Sequence, residues 1–112
     1  MLATLGASIT IGFGLFGALW PRRAASFVGI SPIGGAGLSE IRATYGGLFI
    51  AIGLACLYLH HSSAYFVAGA AWTGAAILRL PSLLLDKNCY PKALAGALIE
   101  LGVGLMLLSG AA

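Results

Sequence analysis

Long charge-free stretches alternate with short charged connections along this chain. Residues 1–21, 24–39 and 43–78 contain no Lys, Arg, Asp or Glu. A membrane-spanning helix needs about 20 mostly apolar residues. The first stretch therefore predicts a span over residues 2–20, which ends where Trp20 and Pro21 precede two arginines.

The stretch 43–78 is too long for one crossing, because a helix of that length measures about 54 Å against a hydrocarbon core of about 30 Å. Its only polar cluster, residues 60–63 (His-His-Ser-Ser), divides it in two. The pattern predicts spans over 40–59, with Ser39 as N-cap, and over 63–84. A last span, 92–110, follows Pro91.

The stretch 24–39 has a different character, because it is rich in proline and glycine. Pro32, Gly34, Gly35 and Gly37 interrupt it within six residues. Residues of these types punctuate regular structure. We expect a loop here, containing one short interfacial helix.

Composition supports this division into spans. Of the 112 residues, 60% are hydrophobic and 8% are charged, whereas soluble domains carry about 25% charged residues. The sequence predicts an all-α protein, an integral membrane four-helix bundle in which residues 1–112 form a single transmembrane domain. The net charge of +3 comes with no basic face, so we expect no nucleic-acid partner.

The distribution of Lys and Arg predicts the orientation. The first connection carries Arg22 and Arg23, and the third carries Lys87 and Lys92. The second connection and both termini carry none. By the positive-inside rule, both termini lie on the non-cytoplasmic side of a bacterial inner membrane. The predicted protein is therefore a multi-pass protein of the cell inner membrane.

Small residues recur on the helix faces expected to pack together. The first span has Gly6, Thr10, Gly14 and Ala18 at every fourth position, and in the last span Gly96 and Gly104 flank Glu100. Helices in lipid associate through such small residues, because their backbones can approach closely. We interpret these stripes as packing surfaces.

Three ionisable side chains fall inside the predicted spans, where each costs about 2.5–3.5 kcal/mol to insert. Counted at 1.5 Å per residue, Arg79 lies about 10 Å and Glu100 about 13 Å from the connection that joins their helices, so the two side chains can meet. At 100° per residue, Arg42 shares a helix face with Tyr45, and Arg79 shares one with Trp72. The sequence predicts a buried charge cluster that opens toward the cytoplasm and consists of Arg42, Arg79, Glu100 and Asp86, lined by Tyr45 and Trp72.

Two interpretations of this cluster remain open. It is either a structural lock that fixes the register of the helices or a binding site, for which two guanidinium groups favour a small anion or a carboxylate. His60 and His61 have no acidic or cysteine neighbour in sequence, so we expect no metal site. No catalytic constellation and no cofactor motif is present, and we expect neither an enzyme nor a bound cofactor.

The order Arg42, Tyr45-Gly46, Arg79, Ser82, Asp86 and Glu100 resembles that of a bacterial family of small four-span membrane proteins. This family is catalogued only as a domain of unknown function. The resemblance extends over most of the chain after the first span. It implies a four-helix bundle in a bacterial inner membrane, and it implies no activity.

These observations favour a non-catalytic integral membrane subunit, an accessory or scaffold protein that packs on a larger membrane complex. The alternative is a small oligomeric transporter or channel that uses the buried Arg/Glu cluster for a small anionic or carboxylate solute. A membrane enzyme that acts on lipid ranks third, because no activated nucleophile can be assembled. The expected partners are the lipid bilayer and either another membrane protein or further copies of this chain.

Overall fold

The computed structural model describes residues 1–86 and 91–112 and contains no β-strand within them. Five helices follow one another: α1 (Leu2–Leu19), α2 (Pro21–Val28), α3 (Gly34–Leu59), α4 (Ser62–Leu85) and α5 (Lys92–Ala111). All except α2 are long and apolar enough to cross a membrane. The predicted all-helical fold with four helices of membrane-spanning character is thereby confirmed.

The start of α3 corrects the predicted second span. The helix begins at Gly34 instead of residue 40, so Ser39 lies inside it and is not its N-cap. Gly34 has a φ of +63°, a left-handed value that glycine adopts without steric cost. A Cβ on Gly37 would lie 2.9 Å from the carbonyl carbon of Pro32. The glycines here let the incoming chain approach the first turn of the helix closely, and the stretch is helical despite its glycine content.

The middle of α3 departs from α-helical geometry. Residues Ala43–Gly47 form a π-helical segment between two α-helical parts, Gly34–Arg42 and Leu48–Leu59. A π-helix uses hydrogen bonds between residues five apart, so each turn holds more residues than an α-turn. The angular positions of side chains before and after this segment are therefore shifted relative to one continuous α-helix.

The predicted break within residues 60–63 is confirmed. α3 ends at Leu59, and His60 takes a left-handed conformation with a φ of +45°. His60 Nδ1 lies 3.0 Å from the Tyr65 hydroxyl, and His61 Nδ1 accepts a hydrogen bond of 3.1 Å from the backbone N–H of Ser63. These contacts hold a tight turn between α3 and α4.

The helices form two antiparallel pairs, α1 with α3 and α4 with α5, and α1 also packs against α5. The resulting molecule is flattened, with extents of 38 × 32 × 16 Å. Small residues lie at each interface: a Cβ on Gly14 would be 2.7 Å from the Ile50 nitrogen, and one on Gly104 would be 3.0 Å from the Thr73 nitrogen. Backbones thus approach as closely as the predicted small-residue stripes require.

The short helix α2 packs across one end of this arrangement. Its Ala24 and Ala25 are buried against Ile41 of α3. On its other side, Lys92 at the start of α5 donates a hydrogen bond of 2.6 Å to the carbonyl of Ser26. A cation is favourable at the carbonyl end of a helix. These contacts hold α2 against α3 of one helix pair and α5 of the other. Arg22 and Arg23 therefore lie at this end of the molecule.

Candidate functional site

An ion pair joins α4 to α5 inside the arrangement. Arg79 Nε donates to Glu100 Oε1 at 2.6 Å, and Arg79 Nη2 donates to Glu100 Oε2 at 3.1 Å. Two parallel hydrogen bonds of this kind make a bidentate pair, which is stronger and more directional than a single contact. The Arg79 side chain is 33% exposed and that of Glu100 is 13% exposed. It is the only ion pair among the residues that the structure describes.

Gly96 provides the surface on which the Arg79 side chain lies. A Cβ at this position would be 3.0 Å from Arg79 Nε and 3.1 Å from Arg79 Cζ. Gly96 precedes Glu100 by about one helical turn, so the glycine and the carboxylate belong to the same face of α5. The guanidinium group is held between them.

Gly96→Ala is expected to weaken the ion pair, because the added methyl group pushes the guanidinium away from Glu100. We expect a loss of about 1 kcal/mol in stability, seen as a lower thermal midpoint in detergent micelles. Gly102→Ala on the same helix is the matched control, since nothing lies within 4 Å of its added Cβ. Equal midpoints for the two variants would contradict this role of Gly96.

Trp72 of α4 connects its own helix to α1 and α3. Its ring centroid lies 5.1 Å from that of Phe49 and 6.1 Å from that of Phe13. The indole N–H donates a hydrogen bond of 3.1 Å to the Thr10 hydroxyl, and that hydroxyl donates one of 2.8 Å to the Gly6 carbonyl. Thr10 thus satisfies the polar edge of a buried tryptophan, as buried indoles require.

Thr10→Val is expected to destabilise the protein by about 1–2 kcal/mol, because it leaves the buried Trp72 N–H without an acceptor. Ser8→Ala is the control on the same helix. Ser8 donates to the Thr4 carbonyl in the same i to i−4 pattern, yet it is exposed and contacts no other helix through that bond. Thermal midpoints that fall equally in both variants would show that the interhelical bond contributes nothing.

A cavity of about 80 Å³ adjoins the ion pair and Trp72, and all five helices contribute to its wall. This is several times the roughly 10–15 Å³ that one water needs. Arg79 and Glu100 are the only charged residues in its lining within the described part of the chain. Its other notable side chains are aromatic: Phe13, Phe16, Phe27, Tyr45, Phe49 and Trp72.

A second cavity, of about 400 Å³, is also lined by Arg79. It shares Phe27, Arg79 and Gly96 with the first cavity and extends to Lys92 at the start of α5. Its lining includes two cations and no carboxylate among the described residues. The two cavities adjoin one another through these shared residues; we call the first the aromatic cavity and the second the basic cavity.

Four of the six predicted site residues line the aromatic cavity: Tyr45, Trp72, Arg79 and Glu100. The predicted meeting of Arg79 and Glu100 is present in the structure. The structure places Arg42 elsewhere, in a separate pocket with Arg22 and Arg23, and Asp86 is exposed at the end of α4. A π-helical segment directly follows Arg42, and it changes the angular position of this residue relative to the rest of α3 in a way that a count at 100° per residue does not include.

The sequence reasoning missed Phe13, Phe16 and Phe27 as lining residues and Thr10 as a hydrogen-bond acceptor. Phe13 and Phe16 are close in sequence to Gly14, a residue of the predicted packing stripe. This proximity is the sequence signal from which their position in the interior could have been predicted. Lys87, from which the orientation is predicted in part, lies with its connection outside the described residues. Within residues 1–86 and 91–112, no three His, Cys, Asp or Glu side chains are grouped as a metal ion would require.

Comparisons of the chain with protein-family models, with curated proteins and with solved structures gave no match.

Proposed function

We propose that this chain is a non-catalytic subunit or scaffold that packs on a larger complex in a bacterial inner membrane, with both termini on the non-cytoplasmic side. The observation that carries the proposal is the bidentate hydrogen bonding between Arg79 and Glu100. Both carboxylate oxygens are engaged by one guanidinium group. The acidic group is therefore committed to an internal contact that joins two helices.

A pair of this kind acts as an architectural element. Buried ion pairs add little net stability, but an arrangement that leaves one partner unpaired is strongly destabilised. Such a pair therefore favours the helix arrangement in which both partners are satisfied. With Arg79 on α4 and Glu100 on α5, the bidentate contact forms only when the two helices have one relative register. We interpret the pair as the lock that fixes this register.

The outward helix faces support association with another protein. Gly12 of α1, Gly74 of α4 and Gly102 of α5 are exposed, and a Cβ on any of them would meet nothing within 4 Å. Each glycine costs a helix interior about 1 kcal/mol relative to alanine. Because packing within the chain does not require these three, we assign them to close approach by helices of a partner.

The test is extraction in a very mild detergent, followed by native separation and mass spectrometry of whatever accompanies the chain. We expect stoichiometric co-migration with a large complex. Replacing Gly12, Gly74 or Gly102 by leucine is expected to reduce co-migration while the isolated chain keeps its thermal midpoint. Migration alone, or as a small homo-oligomer, would overturn the proposal.

A second candidate function, a small oligomeric transporter or channel for an anionic solute, is favoured by the two adjoining cavities. The basic cavity carries Arg79 and Lys92, and Arg79 also lines the aromatic cavity. Uptake of radiolabelled benzoate by vesicles containing the purified chain tests this candidate. Uptake that depends on the protein and is lost in a stable Arg79→Met/Glu100→Met variant would favour it over the subunit. Uptake equal to that of empty vesicles would reject it for this carboxylate.

A further inference from the structure

Three arginines converge on one pocket at the end of the molecule where α2 lies. Arg22 and Arg23 of α2 and Arg42 of α3 line a pocket of about 310 Å³, and all three are exposed. Trp20, Pro21 and Leu38 complete its lining. Among residues 1–86 and 91–112, no carboxylate lines it, and none of the three arginines forms an ion pair. The pocket therefore gathers three positive charges without a counterion from the described part of the chain.

The backbone adds to this positive charge. Arg22 and Arg23 occupy the first turn of α2, where the free N–H groups give a helix its positive end and acidic residues are the favourable choice. That turn contains no acidic residue. The two guanidinium groups repel one another and are repelled by the positive end of the helix dipole. An anion in the pocket would relieve both repulsions.

Packed elements hold the three arginines together. Ala24 and Ala25 follow Arg23 directly and are buried against Ile41, which directly precedes Arg42. Pro21 is buried as well. The contact that fixes α2 on α3 is thus the same contact that brings Arg42 beside Arg22 and Arg23, so the pocket is a consequence of the core.

We propose that this pocket binds a phosphate group that carries at least two negative charges. Planar guanidinium groups match phosphate oxygens in pairs, and three of them can contact several oxygens at once. Trp20 at the rim is 52% exposed and is of the residue type that concentrates at membrane headgroup depth. The phosphate belongs to a lipid headgroup or to a soluble phosphate compound, and the experiment separates these sources.

The experiment is native mass spectrometry of the purified chain in a non-ionic detergent, titrated with dioleoyl phosphatidate, phosphatidylglycerol or phosphatidylcholine. We expect phosphatidate, a phosphate monoester, to bind most tightly. Arg42→Gln is expected to weaken its binding about tenfold. Arg42→Lys keeps the charge and loses the paired geometry, so it should give an intermediate affinity.

Lys92→Gln is the control, because it removes a positive charge at the same end of the molecule outside this pocket. Since Lys92 also contacts the Ser26 carbonyl of α2, an unchanged thermal midpoint of this variant must accompany the comparison. This variant should leave phosphatidate binding within about twofold of the unaltered chain. Inorganic pyrophosphate is then added as competitor: displacement of phosphatidate at equal concentration identifies a soluble ligand, and persistence identifies a lipid. Equal binding of phosphatidate and phosphatidylglycerol, with equal losses in Arg42→Gln and Lys92→Gln, would overturn the proposal.

Discussion

Gly17→Ala is expected to separate α1 from α3 and to lower the stability of the protein by about 3 kcal/mol, the upper end of the usual cost of overpacking. The added methyl group would collide with the carbonyl oxygen of Tyr45 and lie 2.6 Å from its carbon. These are backbone atoms, so no side-chain rotation relieves the contact. The thermal midpoint in detergent micelles measures the loss.

Gly12→Ala is the matched control for this prediction. Gly12 belongs to the same helix and is exposed, and its added Cβ would meet nothing within 4 Å. The exchange gains helix propensity, so its midpoint should be unchanged or slightly higher. If Gly17→Ala and Gly12→Ala behaved alike, the close approach of α1 to the π-helical segment of α3 would be wrong.

Glu100→Gln is expected to destabilise the protein by about 3 kcal/mol, because it leaves the Arg79 guanidinium as an uncompensated charge between helices. The lower end of the measured range applies, since the Arg79 side chain is 33% exposed and a glutamine oxygen can still accept one hydrogen bond. Arg79→Met should give a comparable loss by leaving the Glu100 carboxylate unpaired. Thermal midpoints of both single variants test this.

The double variant Arg79→Met/Glu100→Met tests whether the stability lost in each single variant comes from the partner charge that is left unpaired. Replacing both partners of a buried pair by apolar residues is often neutral or stabilising. We expect the double variant to recover most of the stability that each single variant loses. Additive losses would contradict a direct coupling between the two side chains.

The sequence predicts most of the helical arrangement because lipid imposes simple constraints. A span needs a minimum length and admits few charges. The breaks at Pro21, at residues 60–63 and at Pro91 can therefore be located from the amino-acid sequence. The pairing of Arg79 with Glu100 follows from the same arithmetic, since both lie at a similar depth on adjacent helices. These features depend on rise per residue, which varies little in helices.

The position of Arg42 could not be predicted in this way. Its assignment to the buried cluster required a constant 100° per residue, and the π-helical segment at Ala43–Gly47 breaks that assumption. The helical conformation of residues 34–39 was also missed, because glycine is a loop former by local preference. Here Gly37 lets the chain at Pro32 lie close against the helix backbone, and single-residue preferences do not encode such a contact.

The most direct test of the proposed function compares the native migration of the unaltered chain with that of the Arg79→Met/Glu100→Met variant after mild extraction. If the ion pair is architecture within a subunit, both proteins should travel with the same large complex at the same stoichiometry. Glu100→Gln alone should be depleted from that complex. An unaltered chain that migrates alone would contradict this function, and a stable double variant that no longer joins the complex would contradict the architectural role of the ion pair.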